Sequence, residues 1–130
     1  MIVDSSAIVA IIRGEAEAGP FLTSIRSQSD NVISAGNYLE MGIVIDGEKD
    51  AALSAALDPL LVTLGIEIVP VTPTQAKIAR QAYRDFGKGS GHPAKLNFGD
   101  CFAYALAMER GEPLLFKGDD FVHVGLAKQV

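Results

Sequence analysis

The segment MIVDSSAIVAII, residues 1–12, contains the unit from which the fold is built. Residues 1–3 are apolar and include β-branched side chains, which predicts a short buried strand. Asp4 and two serines interrupt the apolar run, and residues 7–12 resume it over a length that favours a short helix. A strand, a capping turn and a helix in this order are the first half of a β-α-β unit.

The same alternation continues along the rest of the chain. Further strands are predicted at residues 31–34, 66–71 and 114–116, with a last short edge strand at 121–124. Helices are predicted over residues 15–27, 38–47, 50–64, 72–86 and 98–110. Short strands separated by helices predict an α/β fold with a mainly parallel sheet of four or five strands, covered by helices on both faces.

Composition limits the class of protein. A chain of 130 residues with 48% hydrophobic residues predicts one compact domain over residues 1–130. The net charge of -5 favours solubility and at first sight argues against a nucleic acid partner. The single cysteine, Cys101, rules out an internal disulfide and a cysteine-rich zinc site. Without a signal peptide or a long apolar run, we expect a cytoplasmic protein.

Acidic residues follow the predicted elements in a regular way. Asp4 follows the first strand, and Asp119 and Asp120 follow the strand at 114–116. Glu40 lies early in the helix after the second strand, and Asp100 lies in the first turn of the helix at 98–110. Because parallel strands end at the same edge of a sheet, we expect these carboxylates to meet in the crevice at that edge.

Each acid also has an ordinary structural explanation. Asp4 can cap a helix, and Asn97 with Asp100 matches a capping box. Glu40 can lie on a solvated helix face, and a Gly-Asp-Asp sequence is common in turns. Taken singly, none of these residues predicts chemistry.

Their convergence predicts a metal site. Two carboxylates about 5 Å apart repel each other by about 3 kcal/mol at an effective dielectric constant near 20, so several of them need a cation. Carboxylate and water oxygens suit Mg²⁺ or Mn²⁺. Such a site activates a water and stabilises the charge that develops on a phosphodiester, which predicts phosphoester hydrolysis.

A basic loop leads into the predicted site. Residues 77–95 contain five lysines and arginines against Asp85 alone. The loop GKGSGHP, residues 87–93, lacks the spacing of a phosphate-binding P-loop. Lys88, His92 and Lys95 nevertheless lie directly before Asp100, where a basic loop can hold the backbone of a polyanion.

Four segments together resemble a PIN-domain ribonuclease of the VapC type, the toxin of a bacterial type II toxin-antitoxin system. They are MIVDSSAIVAI, NYLEM, LNFGDCFAYALA and LLFKGDDF, and they span essentially the whole chain. The resemblance implies a three-layer α/β/α sandwich with a parallel sheet, and a homodimer. It also implies endoribonuclease activity that depends on Mg²⁺ or Mn²⁺, and a cognate VapB-like antitoxin whose C-terminal segment occupies the crevice.

The resemblance also implies residue roles. Asp4 and Asp100 match the principal metal ligands, Glu40 matches the third acid, and Asp119 matches the fourth, with Asp120 as the alternative. Residues that are expected to position the substrate are Ser5, Ser6, Asn97, Lys88 and Lys95. Phe116 stands where other PIN domains commonly have a threonine.

Two other functions fit the same acids. The first is a catalytically idle module whose acidic crevice only binds arginine or lysine of an antitoxin. The second is a metal-dependent phosphatase that acts on small molecules.

Overall fold

The computed structural model describes residues 1–126. Its strands are β1 (Ile2–Val3), β2 (Asn31–Ser34), β3 (Ile66–Val69) and β4 (Leu114–Leu115). Its helices are α1 (Ser5–Ile12), α2 (Ala18–Arg26), α3 (Ala35–Gly47), α4 (Ala51–Thr63), α5 (Pro73–Phe86) and α6 (Phe98–Arg110). Two helices therefore connect each strand to the next.

The four strands form one parallel sheet in the order β3-β2-β1-β4. Ile2 is in register with Val32 on one side and with Leu114 on the other. The chain therefore builds the sheet outward from β1 in one direction and then returns to the opposite side of β1 with β4. In an open parallel sheet, such a switch in strand order opens a crevice at the carboxyl ends of the two strands.

Alternate strand residues face two separate hydrophobic cores. Val3 and Leu115 pack with side chains of α1 to α4, whereas Ile2 and Leu114 pack with side chains of α5 and α6. The side chains of a strand point alternately to the two faces of its sheet, so the sheet lies between two helical layers. This confirms the predicted three-layer α/β/α sandwich with a parallel sheet.

The predicted edge strand at 121–124 is wrong. Residues Asp120–Val124 form a 3₁₀-helix, and among residues 121–124 only Phe121 is buried. The ring of Phe121 packs against that of Phe116, with centroids 5.0 Å apart. One buried anchor suffices for a single helical turn, whereas a half-buried strand needs alternating burial.

Other differences lie at element ends. Strand β3 ends at Val69 and not at residue 71, because Pro70 has no N–H to donate to a neighbouring strand. Helix α2 begins at Ala18, three residues later than predicted. Helix α6 has its predicted bounds, and Gly111 ends it in the left-handed conformation at φ 63°.

Within residues 1–126, no helix combines the length and the apolar character that crossing a membrane would need.

Candidate active site

Asp4 is a buried carboxylate at the carboxyl end of β1. Its Oδ2 accepts a hydrogen bond from the backbone N–H of Ser6 at 3.0 Å, so Asp4 caps α1. Its Oδ1 is buried and has no hydrogen-bond partner among the described residues. Burial is the main reason that the pKa of Asp4 is raised to about 6, and the charge of Glu40 adds to it. Asp4 therefore has one oxygen committed to the helix and one left for the crevice.

Asp100 is held by the first turn of α6. Its Oδ2 accepts from the backbone N–H of Asn97 at 3.0 Å, and Asn97 Oδ1 accepts from the backbone N–H of Asp100 at 2.8 Å. This confirms the predicted capping box. Burial is the main reason that the pKa of Asp100 is raised to about 7, and the charges of Asp4, Asp120 and Glu40 raise it further. Asp100 thus caps its helix and also belongs to a group of interacting acids.

Glu40 lies on α3 and is half-buried beside the other two acids. Its Oε1 accepts hydrogen bonds from the hydroxyl of Ser5 and from Nδ2 of Asn37, the latter at 3.2 Å. The charge of Glu40 helps to raise the pKa of both Asp4 and Asp100. Three elements that are distant in sequence, β1, α3 and α6, therefore bring their acids into electrostatic contact.

The sequence-based prediction missed Asn37 and Gly99. Asn37 is fully buried, and its Nδ2 donates to the carbonyl of Gly99 at 2.9 Å as well as to Glu40. A Cβ placed on Gly99 would lie 1.6 Å from Oε2 of Glu40, so only glycine leaves room for this carboxylate. The available signals were the spacing of Asn37 three residues before Glu40, on the same helix face, and a glycine inside a helix.

The loop after β4 carries the remaining acids. Gly118 takes a left-handed turn at φ 95°, and Asp119 and Asp120 follow it as exposed residues. Asp120 begins the 3₁₀-helix, and its charge contributes to the raised pKa of Asp100. The loop is therefore close enough to the crevice for the charge of Asp120 to affect the pKa of Asp100.

The two serines after Asp4 are hydrogen-bonded inside the protein. Ser5 donates its hydroxyl to Glu40, and the hydroxyl oxygen of Ser6 accepts from the backbone N–H of Lys117 at 3.0 Å. Ser6 thereby joins the start of α1 to the loop after β4. Both contacts fix the positions of the groups that surround the crevice.

The acids fit an oxygen-binding divalent cation that keeps some of its water. No three His, Cys, Asp or Glu side chains within residues 1–126 already stand in the arrangement of a complete metal-ligand group. Mg²⁺ is commonly bound through only one or two carboxylates and several waters. The unpartnered buried oxygen of Asp4 and the raised pKa of Asp4 and Asp100 indicate a place where a cation would offset the cost of buried negative charge.

Cys101 follows Asp100 but does not share its chemical role. The residue is buried in the core beneath α6. Burial, with a smaller contribution from the charge of Asp100, raises the pKa of its thiol to about 11. A thiol that stays protonated at neutral pH is a poor nucleophile, so Cys101 acts as a core residue.

The basic residues expected to contact substrate lie outside the acidic crevice. Lys88 and Lys95 are exposed and line an open hollow in the loop that precedes α6. Asn97, the cap residue, lies between that loop and Asp100. The structure thus places the basic loop and the acids at the two ends of the segment 95–100.

The chain matches known proteins over nearly its whole length. The family model for the PIN domain matches residues 1–126. Ribonuclease VapC28 of Mycobacterium tuberculosis is 52% identical over 128 residues, which cover 98% of this chain and 96% of the relative. Ribonuclease VapC42 of the same species is 47% identical over 126 residues, covering 97% and 96%.

Solved structures show the same fold at much lower identity. The crystal structure of Mycobacterium tuberculosis VapC20, described as a sarcin-ricin loop cleaving toxin, aligns with a TM-score of 0.75 at 17% identity and covers 98% of this chain and 96% of that one. A toxin-antitoxin complex from Klebsiella pneumoniae aligns with a TM-score of 0.69 at 18% identity, covering 95% and 92%. Because the family model matches residues 1–126 and a VapC ribonuclease is 52% identical over 98% of the chain, the chain belongs to the PIN-domain family.

Proposed function

We propose that this protein is the toxin of a type II toxin-antitoxin system, an endoribonuclease that hydrolyses RNA phosphodiester bonds with the help of Mg²⁺ or Mn²⁺. The observation that carries the proposal is the pair of buried, electrostatically coupled carboxylates, Asp4 and Asp100, at the crevice between β1 and β4. The names of the relatives, VapC ribonucleases at 47–52% identity over nearly the full chain, support it.

Asp4 and Asp100 would hold the metal, with Glu40 as the third acid and Asp119 as the fourth, or Asp120 in its place. The bound metal supplies a Lewis acid that activates water and neutralises charge on the phosphodiester. The same negative charge makes this group of acids a good cation site, because a nearby positive charge favours the ionised forms of Asp4 and Asp100, whose pKa values are raised.

The other residues of the crevice position these acids. Asn37 and Ser5 hydrogen-bond to Glu40 and fix its carboxylate toward the crevice. The capping box fixes one oxygen of Asp100, which leaves the other oxygen to face ligands. A preorganised arrangement of this kind lowers the cost of orienting groups during the reaction.

Substrate positioning is assigned to the polar residues around the acids. We assign this role to Lys88 and Lys95, which would bind the RNA backbone. We assign it also to Ser5, Ser6 and Asn97, which would position the RNA at the rim of the crevice. Attack by water in line with the leaving 3′ oxygen leaves a 5′-phosphate and a 3′-hydroxyl. These lysines of the loop before α6 supply local positive charge on a chain whose net charge is -5.

The decisive test removes one carboxylate without removing its helix cap. In Asp100→Asn, the new side-chain oxygen can still accept from the backbone N–H of Asn97, so α6 should remain capped. We expect RNA cleavage and cellular toxicity to fall at least about 100-fold, the lower range for loss of a positioned catalytic group. Asp4→Asn should behave in the same way.

Asp46→Asn, an exposed acid on α3, is the matched control and should cleave at the wild-type rate. Wild-type cleavage by Asp100→Asn would overturn the site. Toxicity that survives loss of all four acids would favour the idle antitoxin-binding module. Hydrolysis of free nucleotides without cleavage of RNA would favour the small-molecule phosphatase.

The antitoxin partner is assigned to the groove between α3 and α6. This hollow of about 360 Å³ has an apolar lining that includes the exposed side chains of Leu39, Ile43 and Phe98, and it opens beside Glu40. Its occupant is a segment of the cognate antitoxin that combines apolar side chains with an arginine or lysine. The apolar side chains fill the groove, and the basic side chain pairs with the acids at its end.

Ile43→Ala should weaken binding of the purified antitoxin by at least about 10-fold, because burying such a side chain contributes roughly 1.5–3 kcal/mol. RNA cleavage by the free toxin should not change. Calorimetry would measure the affinity, with Val62→Ala on α4 as an exposed apolar control. Unchanged antitoxin affinity in Ile43→Ala would place the partner elsewhere.

We propose that residues 1–130 act as one ribonuclease domain, that the toxin is a homodimer and that it acts in the cytoplasm, where its RNA substrates are. Light scattering on the purified toxin, alone and with antitoxin, measures the oligomeric state.

A further inference from the structure

A second hollow lies beside the antitoxin groove and shares Phe98 and Phe102 of α6 with it. It lies between α5 and α6, has a volume of about 220 Å³, and its lining includes Phe98, Tyr83 and Arg80. The side chain of Phe98 is 76% exposed and that of Tyr83 is 44% exposed. Two aromatic rings and a guanidinium around one open hollow are a surface on which an unstacked base can lie.

Tyr83 joins this hollow to the basic loop. Its hydroxyl lies 3.5 Å from the carbonyl oxygen of Lys88. A Cβ on Gly87 would lie 2.2 Å from the carbonyl oxygen of Tyr83 and 2.9 Å from its ring, so glycine permits the close packing of loop against helix. The loop has its own open hollow, lined by Lys88, His92 and Lys95 together with Gly89, Gly91 and Pro93.

The ring of His92 lines the hollow of the loop, and two contacts hold it there. Its Nδ1 accepts from the backbone N–H of Ala94 at 3.1 Å, so Nε2 carries the proton and is the nitrogen left to donate. The ring also packs edge-on against Phe86, with centroids 4.9 Å apart. His92 therefore contributes an N–H donor to a hollow that Lys88 and Lys95 also line, and such a set of donors suits a phosphate.

Backbone hydrogen bonds connect the loop to the residues that lead into α6. Lys88 N donates to Leu96 O at 2.8 Å, and Leu96 N donates to Phe86 O at 2.9 Å. The capping box of α6 begins at the next residue. No acidic residue lines either hollow among residues 1–126. A polyanion is favoured over a basic or purely apolar partner on this surface, because all its charged side chains are basic.

We propose that one unpaired nucleotide of the substrate RNA, next to the bond that is cut, binds across these two hollows. Its base stacks on Phe98 and Tyr83, and its phosphate is held by Lys88, His92 and Lys95. This nucleotide subsite deepens the proposed ribonuclease function and rests on it. It makes cleavage depend on an unpaired base at a fixed distance from Asp100, and it assigns a substrate role to His92, Phe98 and Tyr83.

Binding is measured in EDTA, where no cleavage occurs. The probe is a fluorescein-labelled single-stranded RNA of mixed sequence, about 12 nucleotides long, within the usual range for single-strand sites. Phe98→Leu and Tyr83→Leu retain apolar bulk but lose the aromatic face. Each should weaken binding by about 5- to 100-fold, the range for loss of one base stack, without changing the salt dependence.

The phosphate-binding residues Lys88, Lys95 and His92 are tested by how the affinity for RNA changes with salt concentration. Lys88→Gln and Lys95→Gln should each lower the slope of log affinity against log salt concentration by about 0.7, as expected for one phosphate contact on a single strand. His92→Phe keeps the ring packing but removes the donor, so it should weaken binding with no change in slope. Lys77→Gln on the exposed face of α5 and Met108→Leu at the far end of α6 are the matched controls.

A second probe separates the base from the backbone. In an RNA of the same length with abasic riboses, Phe98→Leu should have no effect, while the lysine variants should keep theirs. Equal effects of Phe98→Leu on both probes, or an unchanged salt slope in the lysine variants, would overturn the subsite. So would Phe98→Leu and Tyr83→Leu variants that lose antitoxin binding but bind RNA normally.

Failure of the subsite is distinguishable from failure of the proposed function. Binding is measured without metal and without turnover, whereas the function is tested by cleavage in Asp100→Asn. If that variant cleaved RNA normally, the active site would be wrong, while the binding data would still decide the subsite.

Discussion

Gly99 determines where Glu40 can lie. Its missing Cβ leaves the space that the Glu40 carboxylate occupies, and its carbonyl accepts from the amide of Asn37, which also holds Glu40. A glycine early in a helix normally lowers helix stability by about 1 kcal/mol relative to alanine. Its presence here is explained by the approach of an acid from another helix.

We expect Gly99→Ala to lower RNA cleavage at least about 10-fold, because displacing a positioned catalytic group costs of that order or more. The clash is with the end of a flexible side chain, 1.6 Å from Oε2 and 2.2 Å from Cδ, so Glu40 should move while the helix stays intact. Thermal denaturation and kcat/KM are the measurements, and Tm should not fall.

Gly42→Ala on α3 is the control for this change, because nothing lies within 4 Å of its Cβ position. It should keep full activity and gain up to about 1 kcal/mol of helix stability. Full activity in Gly99→Ala would show that Glu40 can leave its observed position without loss of function.

At the scale of the element, the capping box of α6 serves both folding and the active site. Asn97 and Asp100 satisfy each other's backbone N–H groups, and the same hydrogen bond fixes the Asp100 carboxylate at the crevice. Helix α4 has a simpler cap, in which Asp50 accepts from the backbone N–H groups of Ala52 and Leu53. The two caps allow the contributions to stability and activity to be compared.

Asn97→Ala and Asp50→Ala should each lower the free energy of unfolding by about 1 kcal/mol, the usual cost of losing a helix cap. Only Asn97→Ala should also lower cleavage, since it alone loosens the turn that carries Asp100. Urea denaturation and cleavage assays on both variants measure the two effects. An equal loss of activity in both would mean that activity follows stability and not the position of Asp100.

The bounds of α6 were predictable because local residues set them. The sequence N-F-G-D contains the whole capping box, and Gly111 ends the helix by adopting a positive φ. The segment 121–124 was not predictable in this way, because Phe121 packs in a core with residues distant in sequence as well as against Phe116. The local pattern favoured a short edge strand there, and the structure has a 3₁₀-helix instead.

At the scale of the whole molecule, the sheet order concentrates negative charge at one place. Asp4 and Asp100 both have a raised pKa, about 6 and about 7, against an ordinary value of 3.8. The folded protein therefore binds these protons more tightly than the unfolded chain. Their contribution to stability is present below pH 3.8 and is lost as pH rises through about 7.

Without metal, we therefore expect the Tm of the wild type to fall between pH 5 and pH 8 more steeply than that of Asp100→Asn, which has one ionising group fewer. Scanning calorimetry in EDTA measures both. Mg²⁺ or Mn²⁺ at about 100 times its dissociation constant should stabilise the wild type at pH 8 by about 2.7 kcal/mol, or roughly 10 °C in Tm.

The same cation should have little effect on Asp100→Asn. If the two proteins showed the same pH dependence and the same response to metal, the raised pKa of Asp100 would not reflect a cation site.

The sequence by itself determined the succession of strands and helices as far as β4, the capping box of α6, and the identity of the acids. These follow from periodicity and from residues that interact within one or two turns. Only the tertiary structure decided that β4 lies beside β1, that Ser5 holds Glu40, and that Gly99 leaves room for it. The physical reason is that these contacts join segments 35 to more than 100 residues apart, and a local pattern carries no information about which distant residue a side chain will meet.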